Sequence, residues 1–126
     1  MQTFPAFRLN VRAAKLARAN LERADLTEAK ASGVDFRYAN LRDARVVRAM
    51  LQDARLDNAD LSGADFTEAD LTGAVLQDTD IRGTNFSGAK GLTEAQLQVA
   101  IGDDDTILPD GLCRPSHWAG ATATAS

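Results

Sequence analysis

A large apolar residue recurs at every fifth position over most of this 126-residue chain, a period that none of the common secondary structures has. The series runs Val11, Leu16, Leu21, Leu26, Phe36, Leu41, Val46, Leu51, Leu56, Leu61, Phe66, Leu71, Leu76, Ile81 and Phe86, broken only at Ala31 and Gly91. Two residues before each centre stands a small residue, alanine in most units and Val34, Thr79 or Thr84 in the exceptions. The Ala, Leu, Glu and Arg content of residues 9 to 31 favours a helix by propensity, but the period rejects it. An α-helix turns about 100° per residue, so a five-residue spacing walks the apolar centres around the cylinder and leaves no face to bury.

In extended backbone, residues two apart point the same way, so each small residue and its centre face one interior together. The remaining three positions are filled by Asp, Asn, Arg, Ser, Thr, Glu and Gly and face solvent. Gly33, Gly63, Gly73, Gly83 and Gly88 all fall at the second residue after a centre, where a corner needs permissive dihedrals. Each pentapeptide is thus a short side plus a corner. Such a unit cannot bury its apolar pair alone, and only stacking of successive turns makes a core.

Ala-Asn-Leu-Glu-Arg (19–23), Ala-Asp-Leu-Thr-Glu (24–28), Ala-Asp-Phe-Thr-Glu (64–68) and Ala-Asp-Leu-Thr-Gly (69–73) closely resemble the pentapeptide-repeat family pattern. The resemblance covers roughly residues 9 to 91 and implies an all-β solenoid, a right-handed quadrilateral β-helix with four pentapeptides per coil. Charge offers a separate test of that coil length, because residues one coil apart stack like neighbours on adjacent strands, where opposite charges are favoured. At a spacing of 20, pairs such as Asp25/Arg45, Glu28/Arg48, Asp35/Arg55, Arg37/Asp57 and Asp70/Lys90 are opposite in sign, and only Asp60/Asp80 is alike. Spacings of 15 and 25 give more like pairs than opposite ones. The 20-residue register predicts an ionic ladder between coils and four core columns: Leu16/Phe36/Leu56/Leu76, Leu21/Leu41/Leu61/Ile81, Leu26/Val46/Phe66/Phe86 and Val11/Ala31/Leu51/Leu71/Gly91. About four coils result, a rod of roughly 19 Å at about 4.8 Å per coil.

An open coil at either end invites association, so caps are expected. After residue 91 the grammar stops, and the next stretch reads as a short capping helix over about residues 93–101. Thr93 and Gln96 form a capping-box pattern, Leu92 and Leu97 a hydrophobic staple, and Gly102 a C-terminal stop. Leu97, Ala100 and Ile101 are expected to lie over the last coil, and Trp118 to anchor a return segment that extends the cap to residue 118. Residues 119–126 read as a disordered tail. Phe4, Pro5 and Phe7 are expected to plug the first coil or to form a homodimer contact at the N-terminal end.

Catalytic chemistry is not visible. His117 has no partner in a nucleophile motif, Asp103, Asp104 and Asp105 lack the alternating spacing of a calcium loop, and no phosphate loop or cofactor fingerprint occurs. Lone Cys113 reads as a reduced thiol, and the lack of a roughly 20-residue apolar run or secretory signal leads to an expectation of a cytoplasmic protein without membrane contact. The chain is therefore read as a non-enzymatic, cofactor-free and metal-free interaction or scaffold module, with a protein partner not identified by its sequence. The family resemblance implies one alternative, a DNA mimic that binds a type II topoisomerase and modulates it or protects it from quinolones. Residues 8–91 hold thirteen Lys/Arg and thirteen Asp/Glu, which does not match the charge of a duplex. Residues 1–55 carry a net +5 and residues 56–126 a net −9, so the ends are also expected to meet head to tail. Direct nucleic-acid binding is disfavoured, since Arg42, Arg45 and Arg48 have carboxylate partners at the 20-residue spacing and no aromatic series accompanies them.

Overall fold

The computed structural model describes residues 10, 11 and 14–118. Parallel β-bridges open four columns, Asn10 to Lys30, Lys15 to Asp35, Asn20 to Asn40 and Asp25 to Arg45, and each column repeats at steps of 20 residues. They continue as far as Asp70 to Lys90, Arg55 to Val75, Asp60 to Asp80 and Asp65 to Asn85. The chain is therefore a quadrilateral β-helix with a 20-residue coil. Its sides are single bridges, not extended strands, because three of every five residues are spent on the corner.

The corner has a fixed form. The N–H three residues after each centre donates to the centre's carbonyl, as Ala59 does to Leu56 at 2.9 Å. The second residue after the centre takes a left-handed φ, +73° at Gly63 and +60° at Glu68 alike. Glycine is the economical choice there, yet ten non-glycine residues among those described accept the same strain. Each such corner residue also donates its N–H to the coil above, as Asn58 does to Gln77 at 2.9 Å, so ladder bonding offsets the cost.

The interior is filled by the alanines and the centres. Phe36, Leu41, Leu51, Leu56, Leu61, Phe66, Leu71, Leu76, Ile81 and Phe86 are essentially fully buried, Val46 is 2% exposed, and the Phe66 and Phe86 rings pack in a tilted arrangement with centroids 5.6 Å apart. Leu26 is buried, whereas Leu16 and Leu21, in the first coil, are only half-buried. Thr79 and Thr84 replace interior alanines, and their hydroxyls donate to the Leu56 and Leu61 carbonyls at 2.6 and 2.7 Å. Thr106 does the same for Ile81 at 2.9 Å.

Beyond residue 90 the structure corrects several expectations. Gly91 does not extend its core column. It is exposed at φ +76° and turns the chain out of register, and Leu92 is buried instead. The helix is shorter than expected, α1 at Glu94–Gln98, although its capping box is formed: the Thr93 N–H donates to Gln96 Oε1 at 2.7 Å and the Gln96 N–H to Thr93 Oγ1 at 3.2 Å. Helix stops at Gln98 because the backbone that follows joins the ladder. The Asp78 N–H donates to the Val99 carbonyl, and Ile101 exchanges bonds with Thr79 and Ile81, all at 2.8 Å.

Ile101 therefore does not lie over the last coil; its side chain is outward, 47% exposed, at a bridge with Asp80. Leu97 and Ala100 are the buried pair. Gly102 is not the helix stop either. It occupies a buried position against the Trp118 ring, whose Nε1 donates to the Ala100 carbonyl at 3.1 Å. The expectations for Phe4, Pro5 and Phe7 and for residues 119–126 lie outside the described residues.

Candidate interaction surface

The outward residue just before each centre holds the pattern of the lateral surface. Its Asp or Asn side chain accepts a hydrogen bond from the backbone N–H two residues on: Asp25 from Thr27 at 3.1 Å, Asp60 from Ser62 at 3.0 Å, Asp65 from Thr67 at 3.0 Å and Asn85 from Ser87 at 2.9 Å. A Thr or Ser at that position adds its hydroxyl, as in Thr27, Ser62, Thr67 and Ser87. An Arg adds a guanidinium, as Arg37 does to Asp35 at 2.8 Å and Arg82 to Asp80 at 2.7 Å. These carboxylates are locks on their own corners.

That arrangement corrects the expected ionic ladder. Among the described residues, the ion pairs Arg37–Asp35, Arg55–Asp57 and Arg82–Asp80 lie two residues apart within one unit. Only Arg48–Glu28 at 3.1 Å joins residues one coil apart, and Arg42–Asp60 at 3.5 Å spans 18 residues. Among these described pairs, within-unit contacts outnumber the coil-spaced contact three to one. The coil-spaced partners still act at longer range, since Arg45 helps lower the pKa of Asp25, Arg55 that of Asp35 and Lys90 that of Asp70.

Hydrogen bonding from Arg37 holds the Asp35 carboxyl at about 2, and hydrogen bonding from Thr27 and Thr72 lowers Asp25 and Asp70. At Asp80 burial pushes upward, and the Arg82 hydrogen bonds and charge outweigh it. All four values are depressed below the usual 3.8 of the unfolded chain. Their stabilisation is therefore full above that value and is lost as pH falls through the folded values. The thermal midpoint is expected to be flat from neutrality to about pH 5 and to fall steeply below about pH 4. Melts followed by circular dichroism check this, and a midpoint unchanged at pH 2 would exclude it. Added salt should flatten the acid limb only in part, because these four carboxylates are half-buried and only their solvent-facing sides are screened.

Concavities lined by described residues include an apolar one and a polar one. One, of about 180 Å³, lies in the interior of the first coils and is lined only by apolar residues, among them Val11, Leu16, Leu21, Ala31 and Phe36. Its cause is Ala31, which stands where the same column has Leu51 and Leu71. Ala31→Leu is expected to fill part of the space and stabilise the fold by about 1 kcal/mol. A lower melting temperature would show that the surrounding coil cannot make room. The other, of about 410 Å³, lies beside Gln77, Asp78, Ile101, His117 and Trp118.

Neither concavity gathers chemistry. His117 and Cys113 are exposed, and no three His, Cys, Asp or Glu among the described residues converge as a metal site. Of the three consecutive aspartates, Asp103 is structural: its Oδ1 accepts from the N–H groups of Gly83 and Asp105, and its own N–H donates to Thr106 Oγ1, tying this segment to the coil below. No described helix is long and apolar enough to cross a membrane.

A family model described as pentapeptide repeats matches residues 8–43 and 49–88, in eight copies. No curated protein matches. Among solved structures, a pentapeptide repeat protein from Nostoc Pcc 7120 is 35% identical, with 82% of this chain and 77% of that one covered, at a TM-score of 0.49. A pentapeptide repeat protein from the Arabidopsis thaliana thylakoid lumen is 25% identical, with 74% and 77% covered, at a TM-score of 0.47. QnrB1, a plasmid-mediated fluoroquinolone resistance protein, is 17% identical, with 75% and 58% covered, at a TM-score of 0.37.

Proposed function

Because the chain belongs to the pentapeptide-repeat family, whose members fold as right-handed quadrilateral β-helices, we propose that it is a non-catalytic interaction module that presents a rigid, patterned charged face to a protein partner. One observation carries this reading. The outward carboxylates and several arginines are held in place by the corner hydrogen bonds, so a partner meets charges already ordered and loses less side-chain entropy on binding. About four coils, covered at the C-terminal side by α1 and Trp118, and a cytoplasmic location belong to the same proposal.

The DNA-mimic reading is less well supported. Duplex DNA carries one negative charge per about 1.7 Å, whereas the carboxylates of Asp35, Asp57, Asp60 and Asp80 each have an arginine nitrogen within 3.5 Å. Titration into a DNA gyrase supercoiling reaction, with and without a fluoroquinolone, separates the two. No effect is expected; inhibition of supercoiling or protection from the drug would replace the module with the mimic. The module itself is tested by affinity capture with the native chain and an Arg37→Glu/Arg55→Glu variant. A partner held saturably by the native chain and lost from the folded variant supports the charged face, and equal retention by both overturns it.

A further inference from the structure

Among the described residues of the repeats, every aspartate and asparagine is followed by a backbone N–H that is already bonded. Where the residue precedes a centre, the centre's N–H donates to the next coil, as Leu61 does to the Asp80 carbonyl and Leu71 to the Lys90 carbonyl, both at 2.8 Å. At a corner the following N–H closes the turn, as Ala44 does on the Leu41 carbonyl at 3.1 Å, or rises to the next coil, as Asn58 does to Gln77 at 2.9 Å. Asp104 and Asp105 are followed by N–H groups that donate to Asp103, at 3.0 and 3.2 Å. Asp103 in turn has its Oδ1 held by the N–H groups of Gly83 and Asp105.

Asp110 departs from this pattern. It stands on an exposed turn that the Leu112 N–H closes on the Pro109 carbonyl at 3.3 Å, and it opens the single Asp-Gly pair of the sequence. Among the described residues, neither the Asp110 carboxylate nor the Gly111 N–H has a hydrogen-bond partner. Gly111 is at φ +92°, and nothing lies within 4 Å of the position a β-carbon would take, so no side chain crowds its nitrogen.

We propose that Asp110-Gly111 is the site at which this chain rearranges spontaneously to isoaspartate, while the hydrogen-bonded ladder protects the aspartates of the repeats. The Gly111 nitrogen attacks Cγ of the protonated Asp110 carboxyl, loses its proton, and a water molecule leaves to close a succinimide ring. Water then opens the ring at either carbonyl, restoring aspartate or leaving isoaspartate, whose main chain passes through Cβ and Cγ. In the repeats the same attack requires the nitrogen first to give up its hydrogen bond and the coil to open locally. The product lengthens the main chain by one carbon inside the loop that the Arg114 guanidinium closes on the Thr106 carbonyl at 3.0 Å.

Incubation of the full chain in mildly acidic buffer made with heavy-oxygen water, followed by digestion and peptide mapping by mass spectrometry, tests this. Heavy oxygen is expected to enter residue 110 at least about tenfold faster than Asp60, Asp65 or Asp70, the factor for first breaking a ladder hydrogen bond. A second chromatographic form of the same peptide, resistant to a protease that cuts before aspartate, should accumulate with it. Asp110→Glu, which would need a larger ring, should abolish both signals. In urea, uptake at Asp60, Asp65 and Asp70 should rise by about tenfold or more while that at Asp110 changes little. No uptake at residue 110 over a period in which a free peptide of residues 107–114 is labelled overturns the proposal, as does a repeat aspartate labelled equally fast in the folded chain. Repeat aspartates that stay as slow in urea overturn the protective part, because the residue that follows, and not the ladder, would then set the rate.

Discussion

Phe66→Ala is expected to cost about 4 kcal/mol, within the range for emptying a buried phenylalanine site. Phe66 is 1% exposed, packs its ring on Phe86 and belongs to a coil with neighbours on both sides. Relaxation cannot close the resulting hole, because the four sides of each coil are held by ladder bonds to the coils above and below, such as Phe66 N–H to the Asn85 carbonyl at 2.8 Å and Asp65 N–H to the Ala44 carbonyl at 2.9 Å. Leu21→Ala removes three carbons where Phe66→Ala removes six, and from a half-buried site in the first coil, and should cost about half as much or less. Urea unfolding followed by far-ultraviolet circular dichroism measures both. Equal losses at the two sites would show that the rod does not derive its stability from the stacked middle. A stack with only neighbour contacts can also separate into two transitions when a middle coil is weakened.

The period of five was legible because it reflects a strict requirement: two of every five side chains must face inward, and those two must fit together. Phe36, Leu56 and Leu76 share a column for that reason. The charged surface was legible only in part. Opposite charges at a 20-residue spacing track the register, as the Asp25 to Arg45 and Asp70 to Lys90 bridges illustrate, but membership of a column does not make two charges touch. The signal for the corner locks was present in Asp25-Leu26-Thr27, Asp60-Leu61-Ser62, Asp65-Phe66-Thr67 and Asp70-Leu71-Thr72, an acceptor followed two residues later by a donor.

Beyond residue 91 the pattern carries less information, because the helix-like composition runs on past the point where the ladder claims the backbone. Val99 and Ile101 are compatible with a helix by composition, yet their carbonyls accept from Asp78 and Ile81. Gln96 held a second surprise. Besides closing the capping box, its side-chain amide donates to the Leu71 and Ala74 carbonyls at 2.9 Å each, clipping α1 onto the coil below. Nothing in the local sequence distinguishes that glutamine from an exposed one.

Gly102→Ala is expected to release Trp118 and to cost about 3 kcal/mol, as an overpacked core site does. A β-carbon at residue 102 would lie 2.6 Å from Cδ2, Cε2 and Cε3 of the indole, so the ring as a whole must move. Moving it breaks the Nε1 bond to the Ala100 carbonyl and uncovers a ring that is now 6% exposed. Trp118 is the single tryptophan, so its emission reports the event directly and should shift to the red. The β-helix below should persist, because the Thr106 hydroxyl and the Asp103 carboxylate tie the preceding segment to Ile81 and Gly83 independently of the ring. Far-ultraviolet circular dichroism should therefore change little while the fluorescence changes greatly. If the collision is the whole cause, the double variant Gly102→Ala/Trp118→Ala will be no less stable than Trp118→Ala alone, since the added methyl then enters vacated space. Additive losses would mean instead that glycine is needed at residue 102 for its backbone, and unchanged emission from the single variant would mean that the ring is not held where this geometry places it.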